Sequence, residues 1–387
     1  MTQRPLGLAV VLALTLPAAV ACTDNTSASG SSGEGVLTVS STNEECDVSA
    51  GSAPSGNLVF KVKNQGDQVT EFYLYAADGL RIVGEVENIG PGLTRDLVLR
   101  AAPGDYFTAC KPGMVGKGIR EPFTVSDSGK EITVSADEQT LLDTANQQYA
   151  SYVKDQTEQL LTKTEKFVDL YQAGDDDAAR ALYADARVHW ERIEPVAESF
   201  GDLDPKMDLR EADLEAGQEW TGWHLIEKDL WPTMKGYDAL SDAERTEYGD
   251  QLLTDTNELY DRTRSMTFTA DQIGNGAKSL LDEVATGKVT GEEEIWSHTD
   301  LWDFQANVDG AKVAFEGLRP LLQQKDPELE DTIAQRFTAL QALLDEQRQG
   351  DGFVFYTDLT PAEVKRLSDA VNALSEPLSQ LTAAVTL

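Results

Sequence analysis

The stretch Thr221-Gly222-Trp223-His224-Leu225-Ile226-Glu227-Lys228 places an imidazole and a carboxylate three residues apart inside an amphipathic helical pattern. One turn of helix puts both groups on the same face, at a spacing that lets them share a small cation. A surface ion pair uses the same spacing, so the pattern alone leaves both readings open. Scarcity adds weight to the first: the chain has 3 histidines, and the other two, His189 and His298, also sit among carboxylates and aromatic residues. Downstream of His189, Glu191, Glu194 and Glu198 fall on adjoining turns of one expected helical face. Like charges so placed cost about 0.2–0.5 kcal/mol per pair on an exposed helix and more when buried, so a buried triplet needs a cation. Pro195, directly after Glu194, is expected to kink that helix and free carbonyls beside the cluster. Residues 207–213 (Asp208, Glu211, Asp213) and 291–304 (Glu292, Glu293, Glu294, His298, Asp300, Asp303) repeat the combination of carboxylates with apolar or aromatic neighbours. Trp296, Trp302 and Phe304 argue against full exposure of that second run, because tryptophan seeks burial and draws its neighbours with it.

A second donor set lies towards the N-terminus. Cys46 and Cys110 either pair as a disulfide in an oxidising compartment or offer thiolates to a metal. Cys110-Lys111-Pro112-Gly113-Met114 puts a thiol and a thioether on one loop after an expected strand, as at blue-copper sites, and Glu71 opens a strand that offers a further ligand. No histidine precedes His189, so an electron-transfer site of two histidines and one cysteine cannot be built here. A metal in this region would meet Cys46, Glu71, Cys110 and Met114, a mixed soft and hard set that suits copper or iron.

The elements that position these groups divide the chain in two. Its 387 residues suit two domains. Residues 36–136 read as a β-sandwich, with short β runs at 36–40, 57–63, 70–75, 97–99, 105–110 and 123–125 punctuated by Gly, Pro, Asn and Asp. Residues 138–387 read as an all-α bundle, with apolar residues at three- and four-residue spacing over 138–173, 176–199, 241–264, 270–285, 301–322, 327–347 and 361–381. Thr269 with Gln272 and Thr360 with Glu363 read as capping boxes.

The balance of 32 Lys and Arg against 67 Asp and Glu gives a net charge of −35, which disfavours nucleic acid and anionic membrane surfaces and favours cations. Residues 1–22 carry Arg4, an apolar run and a small-residue cleavage zone, the three parts of an export signal. Ala19-Val20-Ala21-Cys22 resembles a bacterial lipobox, with Ala19 where Leu is usual, and residues 23–35 read as a polar tether. Lipidation of Cys22 is expected, with ordinary cleavage beside Ala21 as the competing outcome; the membrane contact would be the lipid anchor alone.

Two resemblances emerge from these motifs. Glu45-Cys46, Thr70-Glu71-Phe72, the run from Glu85 through Glu87 to Gly92, Pro103 to Tyr106 and Thr108-Ala109-Cys110 resemble the cupredoxin-like domain of EfeO-type bacterial iron-transport proteins. This implies copper or iron ligands at Cys46, Glu71 and Cys110, and a second acidic site at Glu85 and Glu87. Gly222-Trp223-His224-Leu225-Ile226-Glu227 resembles the Gly-x-His-x-x-Glu signature of the imelysin family, and Glu191 to Pro195, Asp208 to Glu211 and Ser297 to Asn307 resemble its other blocks. The imelysin resemblance implies a metal site between helices built from Glu191, Glu194, Asp208, His224 and Glu227, with a glutamate of the 292–294 run, taken as Glu293.

A cupredoxin-like domain followed by an imelysin domain implies an extracytoplasmic component that binds iron, ferrous or ferric, and passes it to a membrane permease, with a haem peroxidase as a further family-implied partner. Copper is the alternative metal for the first domain, and zinc is a third candidate cation. Imelysins have also been grouped with peptidases, so a metallopeptidase is the alternative activity. It is disfavoured because a zincin needs two imidazoles one turn apart and this chain has no such pair.

Overall fold

The alternating apolar residues of positions 36–126 form two sheets in a computed structural model of the chain, which describes residues 35–77, 79, 82–114, 116–129, 134–214, 217–232 and 237–387. The expected export signal, Cys22 and residues 23–34 of the expected tether lie outside the described residues. The strands are β1 (Val36–Ser41), β2 (Cys46–Val48), β3 (Ser52–Pro54), β4 (Gly56–Asn64), β5 (Thr70–Ala76), β6 (Ile82–Ile89), β7 (Thr94–Ala101), β8 (Gly104–Cys110) and β9 (Ile119–Ser126). One sheet runs β2-β1-β4-β7 and the other β3-β9-β8-β5-β6. Leu58, Phe60 and Val62 of β4 and Leu97 and Leu99 of β7 point inward to meet Phe72, Leu74, Phe123 and Val125 of the facing sheet, with Phe60 5.1 Å from Phe72 and 5.6 Å from Phe123 between ring centroids.

Cys46 and Cys110 are joined by a disulfide that ties β2 in one sheet to β8 in the other. Of the two outcomes open from sequence, this is the structural one. It corrects the expectation of metal-bound thiolates at Cys46 and Cys110, because a sulfur committed to a disulfide carries no thiolate.

β6 was not expected as a strand. Gly84, Glu85, Glu87 and Asn88 interrupt its apolar alternation, yet it pairs with β5 at the sheet edge, Tyr73 opposite Glu85.

The helices are α1 (Ala136–Gln172), α2 (Asp176–Glu191), α3 (Leu203–Met207), α4 (Trp223–Leu230), α5 (Asp242–Thr263), α6 (Ala270–Thr286), α7 (Asp300–Lys325), α8 (Pro327–Asp345), α9 (Pro361–Leu378) and α10 (Leu381–Thr386). At α9 the Glu363 carboxylate accepts from the Thr360 N–H at 2.8 Å while the Thr360 hydroxyl caps the Glu363 N–H, and at α6 Gln272 Oε1 accepts from the Thr269 N–H at 3.0 Å, so both expected boxes form. The expected kinked helix over 176–199 instead ends at Glu191 and resumes as a 3-10 segment, Glu194–Phe200. Pro195 has no N–H to donate and disfavours helical geometry at the residue before it.

The sandwich packs its β6 and β7 side on α6. Arg95 bridges to Asp282 at 2.8 Å, Asn275 donates to the Val98 carbonyl at 2.8 Å, and Asp271 accepts the Arg100 N–H at 2.8 Å. Among the described residues no helix is long and apolar enough to cross a membrane.

Candidate metal centre

α4 is buried almost all round: Trp223, His224, Leu225, Ile226, Glu227, Asp229 and Leu230 are all inside. Trp223 anchors it, tilted against Phe167 and edge-on to Tyr183 at 5.1 and 5.8 Å between ring centroids. His224 and Glu227 are therefore not a surface pair. Gly222 starts the helix with φ +92°, and a Cβ there would lie 2.2 Å from the Met207 carbonyl oxygen. Only glycine fits this approach, which brings Asp208, at the end of α3, beside His224.

His224 Nδ1 faces Glu227 Oε2 at 3.3 Å, and Nε2 lies 3.6 Å from both Asp208 Oδ1 and Glu293 Oε1. Nε2 is buried and makes no hydrogen bond among the described residues. Two overlapping groups share ligand-capable atoms within 4.8 Å of one another: Asp208, His224 and Glu293, and His224, Glu227 and Glu294. The other oxygen of Glu227 accepts N–H groups of Trp296 at 3.0 Å and Ser297 at 2.7 Å, which pins the irregular run before α7 and places Glu293 and Glu294. Ser297 donates to Glu294 at 2.9 Å, and Asp300 accepts the Glu294 N–H at 3.1 Å.

Built-in cations sit among these carboxylates. Arg187, fully buried, contacts Asp208 and lies 2.7 Å from Glu191, 3.1 Å from Glu293, 2.5 Å from Glu294 and 3.5 Å from Asp303. Lys288, also fully buried, lies 2.7 Å from both Glu191 and Glu194. The cation that a buried Glu191–Glu194 pair requires is thus supplied by the chain itself. Sequence reasoning missed both residues; Arg187 stands one turn before Glu191, which is a local signal, whereas Lys288 is nearly a hundred residues away and leaves none.

The electrostatics follow from this crowding. Burial and the Arg187 guanidinium oppose protonation of His224, but its hydrogen bond to Glu227 and the nearby Glu293 and Asp208 carboxylates outweigh them and raise it to about 9. Burial works against ionised Glu293, yet Lys288 and His224 hold it well below the usual carboxylate range. Burial raises Glu194 well above its ordinary value, helped by Glu191, and likewise Glu294, helped by Glu227.

Of the expected ligands, the structure gathers Asp208, His224, Glu227 and Glu293, adds Glu294, and turns Glu191 and Glu194 towards Lys288. Glu292 of the same run is exposed. His189 faces away, its Nδ1 2.8 Å from Gln156. In the sandwich, Glu71 accepts from the Tyr73 hydroxyl at 2.7 Å and faces Lys111 at 3.7 Å, while Met114 sits exposed on a left-handed turn. Glu85 and Glu87 face the bundle: Glu85 lines a crevice with Glu198 and Ser279, and Glu87 lines a cleft that reaches Asp208 and Glu293.

Residues 145–381 match the family model described as Imelysin. The chain is also 37% identical over 352 residues to the protein named iron uptake system component EfeO of Escherichia coli O157:H7, covering 89% of each chain. The protein of the same name in Shigella flexneri matches to the same extent.

Proposed function

The chain belongs to the imelysin family, among its EfeO-type members, and from that premise we propose that it is an extracytoplasmic iron-binding component of an uptake system that hands iron to a membrane permease. The observation that carries this reading is the buried Nε2 of His224, without a hydrogen bond and aimed between the carboxylates of Asp208 and Glu293. A metal-ligating imidazole commonly gives its other N–H to a carboxylate that fixes its orientation, and Glu227 is placed for that task. Asp208, His224 and Glu293 are then the ligands, Glu227 orients, and Glu294 stands behind as a further oxygen donor.

One imidazole among carboxylates is a hard to borderline donor set, which suits ferrous or ferric iron over copper(I). Arg187 and Lys288 keep the carboxylates from repelling one another apart and temper the pull on a cation, which favours a cargo that is held and then released. Iron is the cargo of this centre and not a resident cofactor. A haem peroxidase partner and lipid anchoring through Cys22 belong to the same proposal. The metallopeptidase alternative gains no support from the centre, since both ligand groups contain the same single histidine.

Iron titration of the full chain by calorimetry under anaerobic and aerobic conditions tests the reading. His224→Ala is expected to lower iron affinity by about 100-fold or more, beyond the loss typical of an orienting residue. Unchanged binding in both His224→Ala and Glu293→Gln would remove the assignment.

A further inference from the structure

The cleft that reaches Asp208 and Glu293 has a volume of about 230 Å³ and lies along the seam where β6 meets the bundle. It is lined by Glu87 from the sandwich and by Glu198, Asp204 and Glu283 from the bundle, and the only cationic side chain among its lining residues is Arg210. These carboxylates come from four separate elements. They converge because α6 and the 3-10 segment carrying Glu198 approach closely at Gly276, where a Cβ would lie 1.7 Å from the Pro195 carbonyl oxygen.

Ser279, one turn before Glu283 on the same face of α6, also lines this cleft. It is 5% exposed, and its hydroxyl oxygen is buried with no hydrogen-bond partner among the described residues. A buried hydroxyl costs free energy unless something accepts or donates to it. An oxygen donor in that state, beside a run of carboxylates, is placed to meet a ligand that brings positive charge.

We propose that this seam is a second cation site, built by Glu87, Glu198, Asp204 and Glu283 with the Ser279 hydroxyl, that takes a hydrated hard cation on its way to His224. The donors are all oxygens, the set preferred by hard cations such as iron(III), manganese(II) or calcium. Their oxygens do not form one of the tight groups found around His224, so the ion keeps part of its water shell. Glu85 lies beside Glu198, and burial together with the Glu198 charge holds it well above the usual carboxylate range. Burial raises Glu198 to about 8 and Asp204 to about 7, with the Asp208 and Glu283 charges adding to the latter. Arg210 and Lys288 offset part of the Glu283 charge from the inner side. Asp208, Glu194 and Glu293 line the same cleft, and Asp208 and Glu293 are the two carboxylates that face His224 Nε2 at 3.6 Å.

This inference rests on the iron-binding reading of the His224 centre, and the test separates the two. The full chain, its His224→Ala variant and a Glu198→Gln/Glu283→Gln variant are titrated with manganese(II), following bound metal by electron paramagnetic resonance, and with iron(II) under anaerobic calorimetry. Far-ultraviolet circular dichroism of each metal-free protein confirms folding. The expected result is two equivalents in the parent, one in each variant, and none in the triple variant. A single equivalent in the parent, lost in His224→Ala and kept in the double variant, overturns the seam site and leaves the inner centre standing. A single equivalent lost only in the double variant upholds the seam and overturns the inner assignment. No binding in the parent overturns both.

Discussion

His224 has one ring nitrogen against Glu227 and the other between Asp208 and Glu293, so a proton and a metal compete for it. With its value raised to about 9, the ring is protonated at neutral pH and must lose that proton to ligate. Iron affinity is therefore expected to rise by about tenfold per pH unit from 7 towards 9 and to level off above that, with close to one proton released per ion, read by calorimetry in buffers of different ionisation enthalpy. Glu227→Gln is expected to weaken iron binding by about 10–100-fold, less than His224→Ala, because it removes an orienting group. Arg187→Met leaves several buried carboxylates without their counter-charge, and breaking such a network costs about 3–5 kcal/mol. Its melting temperature should fall, and added iron should recover more of it than in the parent; equal shifts in both proteins would show that Arg187 and the metal do not answer the same charge.

At the scale of elements, the centre depends on a short helix set against the end of another. Gly222 occupies a left-handed conformation and abuts the Met207 carbonyl. Gly222→Ala both strains the backbone, by about 1–3 kcal/mol, and pushes α4 from α3, separating His224 from Asp208. Lower thermal stability together with weaker iron binding is expected, and loss of stability with unchanged iron affinity would show that the approach serves packing only. The break after α2 has a parallel consequence. Because the helix stops at Glu191, Glu194 stays with Lys288 while Glu198 turns to meet Glu85 of the sandwich.

At the scale of the whole molecule, sandwich and bundle meet across buried and partly buried acids. Asp204 and Glu198 are raised to about 7 and about 8, so the folded protein retains protons that the unfolded chain releases above about pH 4. Their contribution to stability is fully present below that pH and is lost as pH climbs through 7 to 8. Metal-free protein is expected to melt at progressively lower temperature across this window, and a hard cation should flatten the decline. The disulfide acts elsewhere. It closes a separation of 64 residues, for which the chain-entropy account gives about 4 kcal/mol. Reduction should lower the melting temperature of the sandwich without changing the iron stoichiometry of the His224 centre.

The sequence by itself determined the two fold classes, since alternation within 36–136 and three- to four-residue spacing from 138 onward are local signals that burial then enforces. It also offered residues for the candidate centre: the His-x-x-Glu turn stood out because imidazoles are so few, while Asp208 and a glutamate of the 292–294 run were implied by the resemblance to the imelysin blocks. Only the tertiary structure decided which carboxylates meet which cation. Lys288 claims Glu191 and Glu194 from a distant segment that no periodicity encodes, and Arg187, though one turn before Glu191, meets Asp208, Glu293 and Glu294 only through the tertiary fold. β6 was hidden because Glu85 and Glu87 break the strand pattern, and they break it because that edge is covered by α6 instead of water. His224 looked equally fit for a surface pair until the packing of Trp223 against Phe167 and Tyr183 buried its helix and turned Nε2 towards Asp208 and Glu293.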